Sequence, residues 1–95
     1  MTKIETGLIE VKVVYPSAHK PAVKEFAPET TVRQVKDFAL HEFELVEETL
    51  PDGSKIAFFM YFGNTKLENL DQAISTFAHP NDKVNFRLAK EVIAG

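Results

Sequence analysis

Ninety-five residues suffice for one domain around one core, and 44% hydrophobic with 26% charged residues is a globular rather than a disordered composition. A net charge of −3 offers no basic face to capture nucleic acid or an anionic membrane. No run of about 18 apolar residues occurs, the first residues are polar and there is no cysteine, so the chain reads as cytoplasmic, with no span, leader, disulfide or thiolate chemistry.

Residues 8–15 alternate as a strand, with Ile9, Val11 and Val13 on one face and Glu10 and Lys12 on the other. The turn-rich Pro16-Ser17-Ala18-His19-Lys20-Pro21 breaks it, and residues 22–27 form a second strand of a hairpin. Val23 and Phe26 are three apart, which predicts a bulge or register shift there. Pro28-Glu29-Thr30-Thr31 then opens a helix, with a threonine cap and Gln34 three residues after Thr31 as in a capping box. Val32, Val35, Ala39 and Phe43 make its apolar face, Arg33, Lys36, Asp37 and Glu42 its polar one, and Phe38 or Leu40 flanks the stripe.

Residues 44–50 extend the helix or form a short strand before the turn Pro51-Asp52-Gly53-Ser54. Residues 56–62 are all apolar, a strand too short for a membrane and too rich in β-formers for a helix. Gly63-Asn64-Thr65 turns the chain, and Lys66-Leu67-Glu68 makes a brief return. Residues 70–77 read as a helical turn with Leu70, Ala73, Ile74 and Phe77 inward, ended by His79-Pro80-Asn81-Asp82. Residues 83–88 alternate again, with Val84, Phe86 and Leu88 inward. This order makes an α+β fold, a mixed sheet of four to five strands with one helix on one face and the first and last strands parallel at its centre. The expected organisation is an extension over residues 1–7, a domain over 8–88 and a flexible tail over 89–95 that ends in Gly95. Glycine has no Cβ, so a carboxylate on Gly95 can pass a narrow channel that would stop a bulkier end.

The element order, the helix opening Pro28-Glu29-Thr30-Thr31-Val32-Arg33-Gln34-Val35-Lys36 and the stretch Phe62-Gly63-Asn64-Thr65-Lys66-Leu67-Glu68-Asn69 resemble ubiquitin and the ubiquitin-like β-grasp proteins. Those carry a Pro-x-x-Thr-Val/Ile-x-x-Val-Lys helix start, a Phe-x-Gly turn leading to Leu-Glu-Asp, and a last strand running into a glycine tail. The resemblance covers residues 8–95 and departs in three places: one glycine preceded by Ala94 instead of two, Lys90 and Glu91 instead of paired arginines, and a longer connection over 44–55. It implies a modifier whose Gly95 is adenylated by an E1-type activating enzyme, passed to an E2-type conjugating enzyme and joined to target proteins through an isopeptide bond. The same analogy implies a JAB-type deconjugating peptidase, in whose groove Val92-Ile93-Ala94-Gly95 would lie extended. A sulfur carrier ending in a thiocarboxylate and a plain interaction module share the fold.

The apolar run leaves its faces open. With Phe59 and Tyr61 toward the helix, Phe58, Met60 and Phe62 form an outer partner surface, with Met60 near the place of ubiquitin's central recognition isoleucine. Alternatively residues 44–50 fold over that face and bury it, which the long connection favours. The nine lysines read as a solvated surface; His19, His41 and His79 stand apart from ligand spacing, and Ser17, Ser54 and Ser75 lack a nucleophile context. Neither a metal, a cofactor nor an enzymatic activity is expected.

Overall fold

The computed structural model describes residues 7–78 and 83–94. The expected extension (but for Gly7), the turn at His79-Pro80-Asn81-Asp82 and Gly95 itself lie outside the described residues. Strand β1 (Ile9–Val14) pairs antiparallel with β2 (Ala22–Phe26), helix α1 (Val32–Glu42) follows, and β3 (Glu48–Thr49) turns into β4 (Lys55–Phe62). After β5 (Thr65–Lys66) and a 3₁₀ turn (Ile74–Phe77) comes β6 (Lys83–Ile93). The sheet order is β2-β1-β6-β4-β3, with β5 on the far end of β4; β1 and β6 run parallel at the centre, as the element order predicts.

Each strand puts alternate residues toward α1. Val11 and Val13, Phe58 and Met60, and Val84, Phe86 and Leu88 are buried there against Val32, Val35 and Ala39 of the helix. Burying each such large side chain contributes about 1.5–3 kcal/mol. Thr31 caps α1 as the sequence predicts: its hydroxyl accepts the Gln34 N–H at 3.2 Å while Gln34 Oε1 accepts the Thr31 N–H at 2.9 Å. Two further free N–H groups of the first turn, Val32 and Arg33, donate to the carbonyls of Gln72 (3.0 Å) and Leu70 (2.8 Å). The segment before the 3₁₀ turn is thereby fastened to the helix.

Three expectations are corrected. The hairpin carries no bulge, because every pair from Ile9↔Phe26 to Val13↔Ala22 keeps one register; Val23 simply faces solvent. Of the readings open for residues 44–50, the short strand before the turn holds, as β3 at Glu48–Thr49, while the segment neither extends the helix nor covers a face. Glu44 takes φ 58°, Leu45 N–H returns to the Leu40 carbonyl at 2.8 Å, and the chain leaves for β3. Residues 89–93, expected in a flexible tail, continue β6, paired with β4 from Phe59↔Ala89 to Lys55↔Ile93. The eight-residue β4 needs a hydrogen-bonding neighbour along its whole length, and this stretch is that neighbour.

Candidate functional site

The register decides which residues can meet a partner. Leu88 faces the core and lies opposite Met60, so Met60 and Phe58 face the core as well; they are 0% and 2% exposed. Neither belongs to a partner surface, contrary to the expected outer cluster. Phe62 leans the same way, its ring 4.9 Å from Phe77 and 6.1 Å from Phe86, yet it stays 38% exposed, so of the expected outer cluster it alone keeps open surface. In an all-apolar run both alternations look alike, and only pairing with a strand of known polarity separates them.

The solvent face of the sheet carries Phe59 and Tyr61 of β4, Arg87, Ala89 and Glu91 of β6, and Lys66 of β5. Arg87 lies 4.4 Å above the Tyr61 ring and Lys66 Nζ 3.7 Å above the Phe59 ring, each cation covering an aromatic that has no core to enter. Glu91 Oε2 accepts from the Tyr61 hydroxyl at 3.3 Å and sits 3.5 Å from Lys66 Nζ. Ala89, directly opposite Phe59, is too small to cover that ring. The result is a half-covered aromatic platform ringed by two cations and one carboxylate, a chemistry suited to docking a protein surface. Sequence reasoning left Phe59 and Tyr61 facing inward. The alternation of residues 83–88 polarises β6 correctly, but no residue pattern gives its register against β4.

Along β6 the platform leads to the exposed Val92 and Ile93, 60% and 44% open, and on to Ala94, also exposed. Of the tail residues singled out from the sequence, these three stand in the open, and Gly95, which follows them, lies outside the described residues. Among the described residues no three His, Cys, Asp or Glu side chains gather where they could hold a metal ion, and no helix is long and apolar enough to cross a membrane.

No protein-family model and no curated protein matches the chain. Among solved structures it is similar to a ubiquitin from Caldiarchaeum subterraneum, with a TM-score of 0.64 and 20% identity, covering 94% of this chain and 100% of the other. The fold is therefore a ubiquitin-like β-grasp.

Proposed function

We propose that the chain is a ubiquitin-like protein modifier, acted on by enzymes rather than an enzyme itself. Its Gly95 carboxylate is adenylated by an activating enzyme of the E1 type and then joined to amines of target proteins in the cytoplasm. The observation that supports this reading is the likeness, over 94% of the chain, to an archaeal ubiquitin, in a fold whose central strand ends at Ile93 and is followed by the exposed Ala94 and, in sequence, Gly95. The Phe59–Tyr61 platform would be the surface read by the activating, conjugating and deconjugating enzymes, since it lies on the same strands that lead to the terminus.

The test is expression of the chain, tagged at its N-terminus, in the cells that encode it. Denaturing immunoblots should show a ladder of protein-sized adducts that a chain lacking Gly95 does not form. Intact mass on the unconjugated pool reads the sulfur-carrier alternative, since a thiocarboxylate replaces one oxygen by sulfur. Identical adducts from the Gly95 deletion would overturn the modifier reading, and a full chain that forms neither adducts nor a thiocarboxylate would leave an interaction module.

A further inference from the structure

We propose that residues 89–93 of β6 form an open strand edge that takes up an extended segment of a partner protein, with an acidic residue opposite Lys90 and a basic one opposite Glu91. The proposal stands apart from the chemistry of Gly95. It begins with unequal coverage. Strand β1 last pairs with β6 at Val14↔Arg87, whereas β6 runs on to Ile93 with β4 alone beside it among the described residues.

Which backbone groups face the uncovered side follows from β4. The Phe58 N–H donates to Glu47 and the Met60 carbonyl accepts from the Leu67 N–H, so both residues turn their groups away from β6. Ala57, Phe59 and Tyr61 therefore bond β6, through their partners Glu91, Ala89 and Arg87. Lys90 and Val92 lie between these and point their N–H and C=O groups to the side that β1 has vacated. Among the described residues nothing pairs with them there. A free stretch of five residues spans roughly 16 Å, about the length of an ordinary strand. Val92 and Ile93, one on each face, add exposed apolar surface for the side chains of an added strand.

The charges specify the occupant. Lys90 and Glu91 project to opposite faces, so a pairing strand gains from an acid opposite Lys90 and, to a smaller degree because Lys66 already lies 3.5 Å from it, from a base opposite Glu91. A second copy fits less well: antiparallel self-pairing centred on Glu91 or on Lys90 sets that charge against its own copy, the latter also running the added strand toward the end of β1, and centring on Val92 leaves Lys90 and Glu91 opposite Ala94 and Ile93, with no charge to pair.

The probe is a synthetic capped nonapeptide of alternating Val and Thr, carrying Asp opposite Lys90 and Lys opposite Glu91. Amide hydrogen exchange by NMR is read on the full chain. In the free protein Lys90 and Val92 should exchange fast while Ala89 and Glu91 are protected. Peptide at about ten times its dissociation constant should slow Lys90 and Val92 roughly tenfold. K90E should weaken that protection, and a peptide with Lys in place of Asp should restore it. Val92→Pro, which removes an N–H that β4 does not use, should abolish uptake while Ala89 and Glu91 stay protected. Lys90 and Val92 amides already protected in the free protein, unchanged by peptide, or protected only as concentration rises without peptide would each overturn the proposal, the last by making a second copy the occupant.

Discussion

Glu44 sits at φ 58°, where the carboxylate-bearing side chain crowds the backbone and glycine would not. The conformation is imposed from both sides, because Glu44 N–H must reach the His41 carbonyl (3.2 Å) and Leu45 N–H the Leu40 carbonyl (2.8 Å) to close the helix. Glu44→Gly should therefore stabilise the chain by about 0.5–1 kcal/mol despite the added freedom of the unfolded state, read as a rise in thermal midpoint. Asp52 shows the opposite economy, a residue well suited to its place. Its carboxylate accepts from the Ser54 hydroxyl (2.6 Å) and then the Ser54 N–H (2.9 Å), which hold its pKa below the ordinary aspartate value. A depressed folded-state pKa means a contribution present above the unfolded value near pH 4 and lost as pH falls through the lowered one. Denaturant titrations of wild type and Asp52→Ala should thus differ at neutral pH and converge in acid; a constant gap across that range would refute the linkage.

At the scale of elements, β4 is held on its outer edge by a side chain rather than by a strand. β3 covers only Lys55 and Ile56, β5 only Tyr61 and Phe62, and between them Glu47 accepts the Phe58 N–H at 2.8 Å and lies 3.1 Å from Lys36 Nζ. Lys36 is largely covered, with 13% of its side chain exposed, so Glu47→Ala strands both a buried-strand amide and a poorly solvated ammonium. We expect a loss of about 1–3 kcal/mol, measured as a lower urea midpoint with unchanged slope. Nothing in residues 44–50 announces this contact, since it depends on β4 lying beside the helix. Local chemistry was far easier to read. The Thr31–Gln34 cap, the helix stripe and the Gly63 turn are signals within a few residues of one another, and each stands where expected. The faces of β4 and the length of β6 are long-range facts. Ile56 through Phe62 offer no polar residue to mark a solvent side, and Lys90 falls on the core side beyond the end of the helix, where it breaks the alternation and makes a strand look like a tail.

For the whole molecule the question is how a terminus leaves a sheet. If Gly95 bears the reactive carboxylate, as the modifier reading has it, the two residues from Ile93 to Gly95 reach at most about 7 Å when extended, little depth for a group that must enter another protein's cleft. The last pairs of the ladder, Ala57↔Glu91, Ile56↔Val92 and Lys55↔Ile93, have no neighbour among the described residues on the other side of β6, so releasing them costs one strand's hydrogen bonds rather than two. Under the modifier reading, the end of β6 would peel from β4 before Gly95 is adenylated. A lock tests this. Ile56 and Val92 are directly opposite on a pair whose own backbone groups point elsewhere, the closer kind of antiparallel pair, with Cα atoms about 4.5 Å apart and within disulfide reach. The chain has no cysteine of its own, so Ile56→Cys with Val92→Cys creates a single possible bridge. Adenylate formation needs ATP but no thiol, so it can be followed by mass without reductant, using the activating fraction of the source cells. The oxidised double variant should fail to form the Gly95 adenylate and regain it on reduction, while each single-cysteine variant, which cannot close an internal bridge, should form it throughout. Equal adenylation with the bridge closed would mean that the residues beyond Ile93 suffice.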